Sequence, residues 1–317
     1  MNKRIVLDHF GLVDRELRLY IAVGPYHPPH GYIAYLKYVP GGEGPWRKHG
    51  VEYSRVLSIY SPYAVDEPCR HLDRYFDPLL GCEVPILRLD RVVSIVDPRD
   101  VAKRVLATCR DELECVAAEL ISDLVRHGLS LECVGVTGSI MFGIHVAKHS
   151  DIDLVVYGEK CVEKALEVIP TVAKPIPRAR LELVIDNLSH VHGVSRELAK
   201  ESAAIRRWVY EGIEVTTVYT WSEPWSLRDP VKESRCVSTV IEVEPGDVGA
   251  VMYPAKFLAR LGGEEVEVWS FEATLSTPMV RGGRFRVEGV LQVLASGRKR
   301  LVLGARECPS AVERVVS

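Results

Sequence analysis

Side-chain amides are almost missing from this chain: asparagine stands only at positions 2 and 187, and glutamine only at 292. Loss of residues that deamidate when hot, with Arg outnumbering Lys, is what a thermophilic source would select. No apolar run reaches 18 residues, so no membrane-spanning helix is expected. Met1-Asn2-Lys3-Arg4 leads into a short mixed segment without a signal-peptide core, so a cytoplasmic location is the expectation. Neither sign of charge dominates: 40 Lys+Arg against 43 Asp+Glu leave a net charge of −3. That excludes a wholesale basic coat for nucleic acid, though not a local basic patch. The eight cysteines (69, 82, 109, 115, 133, 161, 236, 308) form no C-x-x-C and no short paired spacing, which argues against a zinc site. Buried free thiols are expected, with intracellular disulfides the alternative for a hyperthermophile. Internal repeats and low-complexity tracts are also lacking.

What remains is a chain of 317 residues, 47% apolar and 26% charged, enough for about two domains with a sizeable core. Its fold class reads as α+β, in three regions. Residues 1–96 form a β-rich N-terminal module. Leu17–Val23 and Tyr32–Val39 have the aromatic and branched composition of strands, and Gly24–Gly31 turns between them. A single helix is expected near 66–76. Residues 97–222 alternate helix and strand. Asp97-Pro98 is a helix start, with an Asp cap and Pro at the first helical position. Val101, Val105, Cys109, Leu113, Val116, Leu120 and Leu124 then give one apolar face of a long helix ending near His127-Gly128. Strands at 131–137 and 152–157, a helix at 195–209 and a strand at 213–219 follow. Residues 223–235 read as a linker. The glycine-punctuated strands of 236–317 predict a small β-barrel, OB-like in one reading.

One stretch carries chemistry: Gly135-Val136-Thr137-Gly138-Ser139-Ile140-Met141-Phe142-Gly143, followed by Ser150-Asp151-Ile152-Asp153 on the next strand. A strand that ends in Gly-Ser at the mouth of a short helix offers backbone N–H groups to a phosphate, and glycine permits close approach. Asp151 and Asp153, at i and i+2, leave one face of a strand. Two such carboxylates repel unless a cation lies between them, and hard oxygen ligands suit magnesium. A phosphate cradle beside paired carboxylates is apparatus for in-line attack at a nucleotide phosphate. That scheme wants a third carboxylate. Glu214, on the strand after Gly212, is the first candidate, and Glu182 and Asp186 are weaker ones.

Gly138-Ser139, Gly143 and the following Asp151-Ile152-Asp153 resemble the signature of the polymerase-β-type nucleotidyltransferase superfamily, over about 85 residues. The resemblance implies that Gly138 and Ser139 hold a nucleoside triphosphate such as ATP. It implies that Asp151, Asp153 and Glu214 hold two magnesium ions, with manganese as a substitute, and that an NMP moves to an acceptor hydroxyl with release of pyrophosphate. Lys148 and Ser150 are further candidate nucleotide ligands. The Gly-x-x-His-Pro-Pro turn at 24–29 and the Ile-Ala-Tyr-Leu-x-Tyr-Val-Pro strand at 33–40 resemble a group of archaeal predicted nucleotidyltransferases. Many small family members carry Arg just after Gly-Ser; here Ile140 and Phe142 stand there.

The alternative is a degenerate copy that binds nucleotide or RNA without turnover. RNA would meet the C-terminal domain through Trp269, Phe271 and Phe285, with Arg281, Arg284, Arg286, Arg298, Lys299 and Arg300; the competing reading makes the aromatics core. His145 and His149 flank the motif, and His190 and His192 share one side if their segment is extended. Arg178, Arg180, Arg206 and Arg207 are candidate phosphate partners.

Overall fold

The computed structural model describes all residues except 1–2, 43, 58–60, 62–63, 66–67 and 316–317. The N-terminal module has eight strands: β1 (Gly11–Asp14), β2 (Leu19–Ala22), β3 (Gly31–Pro40), β4 (Trp46–Lys48), β5 (Val51–Arg55), β6 (Asp73–Asp77), β7 (Cys82–Arg88) and β8 (Val92–Val96). They run in the order β4-β5-β3-β2-β1-β8, and the start of β3 also pairs with β7, which carries β6. The helix expected near 66–76 is not there. Residues 66 and 67 lie outside the described residues, 68–72 are turns, and Asp73–Asp77 is a strand paired with β7. Tyr75 and Phe76 favour that pleated setting over a helix.

In the centre, α1 (Pro98–Ala107) and α2 (Glu112–Arg126) precede β9 (Val134–Val136), α3 (Gly138–Phe142) and β10 (Ile152–Tyr157). After them come α4 (Glu159–Val172), β11 (Lys174–Pro175), α5 (Arg178–His192), α6 (Arg196–Arg206), β12 (Arg207–Tyr210) and β13 (Ile213–Thr220). The sheet order is β11-β12-β13-β10-β9, with β10 and β13 parallel. Asp97 caps α1 as its sequence promises, accepting from Arg99 N. The single long helix expected behind it is instead two. Thr108 leaves helical geometry, and Asp111 opens a fresh helix by accepting from Glu114 N. A Cys109–Cys115 disulfide closes the corner.

The C-terminal region is a closed five-stranded β-barrel. It is built from β14 (Val231–Val243), β15 (Ala255–Leu261), β16 (Glu264–Ser270), β17 (Gly283–Leu294) and β18 (Lys299–Leu303), with β19 (Ala311–Arg314) added beside β17. Round the barrel the order is β14-β15-β16-β18-β17, closed by a β14–β17 ladder; β16 and β18 are parallel. β14 begins inside the stretch expected as linker.

Six of the eight cysteines are oxidised: Cys109–Cys115, Cys133–Cys161 and Cys236–Cys308, leaving Cys69 and Cys82 free. The expectation of free thiols fails because two pairs, 28 and 72 residues apart, are brought together by the tertiary fold, and the third, six residues apart, by the break between two helices. Cystines of this number belong to an oxidising compartment or to an intracellular protein of a hyperthermophile. No helix among the described residues is long and apolar enough to cross a membrane.

Alternation along β10 places the rest of the argument. Ile152, Leu154 and Val156 pack into the core that holds the inner residues of α1, α2 and α4. Val155 and Tyr157 pack against Phe10, Leu12 and Tyr20 of the N-terminal module. Asp151 and Asp153 share this second face by the period of two. The carboxylates therefore leave the sheet toward the N-terminal module.

Candidate functional site

Gly138 determines how close the motif's two halves come. Its φ of +67° is left-handed, and a Cβ there would lie 2.1 Å from Asp153 Oδ2. Only glycine meets both conditions. Thr137 N donates to Asp153 O at 2.9 Å, so the turn and the strand are stitched together. Asp151 is open to solvent and Asp153 half-buried. The Asp153 charge, with burial second, pushes the Asp151 carboxyl up to about 6; Lys37 and Arg207 pull the other way.

Register across the sheet then orders the neighbours. Asp153 stands beside Thr216 of β13, which stands beside Arg207 of β12. Arg207 Nη1 donates to Thr216 Oγ1 at 2.7 Å. Glu214 lies one row out, on the same face, at the level of Asp151. It accepts from Arg180 Nε at 2.7 Å and Nη2 at 3.3 Å. Among the described residues no group of three His, Cys, Asp or Glu side chains is gathered as a metal cage. Two carboxylates that repel one another match the way magnesium is usually held, by one or two protein oxygens plus waters and substrate phosphates. The donors present thus fit that ion through Asp151 and Asp153.

A cavity of about 720 Å³ opens from this pair. Lys37 of β3, Arg180 of α5 and Arg207 of β12 line it around the aspartates, while Tyr26, Trp225 and Phe271 line other parts of its wall. All three regions of the chain contribute, and the volume is that of a small-ligand site. Lys37 was missed in the sequence because its neighbours spell a strand and nothing local says where the strand docks.

Of the other expected phosphate and metal ligands, only His192 and Arg206 line the cavity, and each is held by a partner within the fold. Lys148 is exposed and does not line the cavity. Ser150 closes a turn: its Oγ accepts from Val146 N at 3.1 Å. Ser139 is buried within α3. Glu182 and Asp186 lie on α5, helical rather than extended, and both are paired with Arg196. His190 and His192 are also on α5, so a spacing of two does not put them on one side. His192 Nδ1 instead meets Glu272 Oε2 at 2.8 Å. His145 Nε2 meets Asp111 Oδ2 at 2.8 Å. Arg206 is half-buried at the cavity wall, its guanidinium donating to Val251 O and Thr277 Oγ1, and desolvation lowers it to about 10. It holds the fold together.

The proposed RNA platform is largely covered. Trp269 is 1% exposed and Phe285 0%. Arg300, itself 4% exposed, lies 3.6 Å over the Trp269 ring, and Trp225 packs at 4.9 Å from it. The remaining basic residues each meet an acid: Arg281 with Glu201, Arg284 with Glu242, Arg286 with Glu313, Arg298 with Asp229 and Lys299 with Glu264. A residue count in the sequence registers the cations but not these partners.

Compared with family models, curated proteins and solved structures, the chain matches none.

Proposed function

We propose that this chain is a magnesium-dependent nucleotidyltransferase of the polymerase-β type, moving an NMP from an NTP to an acceptor hydroxyl. The observation that carries the reading is the paired Asp151 and Asp153 in the wall of a cavity also lined by Lys37, Arg180 and Arg207, with Gly138 against the Asp153 carboxylate. The order of central elements supports it: Gly-Ser after one strand, the aspartates on an antiparallel neighbour, and a parallel third strand carrying Glu214.

In this mechanism Asp151 and Asp153 would hold magnesium, which would supply neutralisation of phosphate charge. Lys37, Arg180 and Arg207 orient the phosphate oxygens, with the arginines suited to two-point contact. The Gly138 turn lets the Asp153 carboxylate lie against the backbone without a side chain in the way. The barrel's strand order, with a short helix between its third and fourth strands, is OB-like. Here its Trp269 is already covered by Arg300 and packed against Trp225, so the barrel serves as a wall.

A second reading, a nucleotide-binding copy without turnover, is favoured by Glu214 in its pairing with Arg180 and by Thr216 in register with Asp153. Incorporation from each α-labelled NTP with magnesium or manganese, run beside Asp153→Asn, separates them. Labelling lost in the variant supports transfer. Metal-dependent NTP binding by calorimetry without labelling supports the second reading.

A further inference from the structure

Asp8 and His9 form a hydrogen-bonded pair at the cavity wall, which the sequence reading passed over. Asp8 is fully buried; its Oδ1 accepts from Gly24 N at 2.7 Å, and its Oδ2 meets His9 Nδ1. An ionised carboxylate only accepts, so Nδ1 is the donor to it, and in the neutral imidazole Nε2 is the nitrogen left with a lone pair. His9 lines the same cavity as Asp153, with Tyr253 edge-on at 6.2 Å. Its backbone is left-handed, φ +62°, an uncommon state for a residue with a side chain. One residue ties it to the aspartates: Thr137 Oγ1 donates to His9 O at 3.3 Å, while Thr137 N donates to Asp153 O.

A buried acid hydrogen-bonded to one nitrogen of a histidine that lines a cavity is the arrangement of a general base. The rest of the cavity says what it acts on. Its volume suits a small molecule, and Tyr26, Tyr35, Trp225 and Phe271 stand half-buried in its wall. Resting on the nucleotidyltransferase reading, we infer that the acceptor is a small hydroxyl-bearing molecule with an apolar or aromatic body, and that His9, oriented by Asp8, is its general base. The acceptor O–H gives its proton to His9 Nε2. The oxygen then bonds to the α-phosphorus, the bond from that phosphorus to the bridging oxygen breaks, and pyrophosphate leaves with the bond's electrons.

The test uses the whole chain, α-labelled NTPs with magnesium, and a cell extract divided by a small-pore filter into metabolite filtrate and macromolecular retentate. His9→Gly and His9→Asn both tolerate positive φ, so the turn survives in each. The expected result is label in a filtrate compound, a rate lowered by about 10²–10⁴-fold in both variants, and NTP–magnesium binding by calorimetry unchanged. Added imidazole restores His9→Gly. Variants that keep the native rate, or that lose NTP binding in step with rate, overturn the role of His9 while leaving nucleotidyl transfer standing. Label confined to RNA or protein in the retentate overturns the small-molecule acceptor. No label in either fraction from the unaltered chain removes the underlying reading and this inference with it.

Discussion

Asp151→Asn should make the metal-free protein more stable at neutral pH, an unusual direction for a change at a functional site. A carboxyl held at about 6 in place of its ordinary 3.8 corresponds to about 3 kcal/mol of disfavoured ionisation. Asp151 is open to the cavity, so water and salt screen much of this and about 1 kcal/mol is the working figure. The sign follows from linkage. A carboxyl whose folded pKa is raised costs nothing below its unfolded value, and the cost grows as pH rises through the folded value. The gap between native protein and variant should therefore be near zero at about pH 4 and complete above about pH 7. For a chain this long, about 1 kcal/mol moves the melting temperature by roughly 1.5 °C, measurable by scanning calorimetry in EDTA. Magnesium with NTP should reverse the order: a ligand at a hundredfold excess over its Kd adds about 2.7 kcal/mol to the native protein, and the variant gains much less. A variant that melts lower than the native chain in EDTA at neutral pH, or a gap that does not vary with pH, refutes this account of the carboxylate pair.

Gly138→Ala should cost about 1–2 kcal/mol for its left-handed backbone and displace the Asp153 carboxylate, abolishing metal-dependent NTP binding; calorimetry reads the binding and urea denaturation the stability. Cys236→Ser with Cys308→Ser opens a cross-link 72 residues apart in sequence and should lower stability by up to about 4 kcal/mol, seen as a lower denaturation midpoint that reducing agent imposes on the native chain as well. Trp269→Ala removes a 1%-exposed ring and should cost about 3–5 kcal/mol. If it instead weakened RNA binding with the denaturation midpoint unmoved, the burial argument for that ring would be wrong.

Local chemistry was legible where a short segment decides its own shape. Asp97-Pro98 opens a helix, Leu19–Ala22 and Gly31–Pro40 are strands within or over the branched and aromatic runs at 17–23 and 32–39, and Asp153 lies on the strand Ile152–Tyr157 with Asp151 just ahead of it. The barrel too could be read from its punctuated strands. What failed needed distant partners. The apolar stripe of 98–126 runs straight through Thr108 and Asp111, because two successive helices packing on one sheet keep the same face. Glu214 looked available until Arg180 arrived from another helix. The basic run near 300 looked like a nucleic-acid surface until Trp269, Glu267 and the acids of neighbouring strands took up its charges. Lys37 and His9 reach the cavity only because β10 turns its aspartate face toward the N-terminal sheet.

The contacts between the two ends of the chain carry a last consequence. Arg300 Nη1 donates to Leu79 O, Gln292 Nε2 to Leu80 O, and Arg306 reaches Glu83 O. The first and last modules are thus clasped to each other as well as to the middle one, and the three form a ring about the cavity. Cutting the chain into its modules would leave each fragment with an unfilled docking face and the site without a wall. The natural unit here is the closed circuit, and dissecting it into domains would discard the site that the circuit encloses.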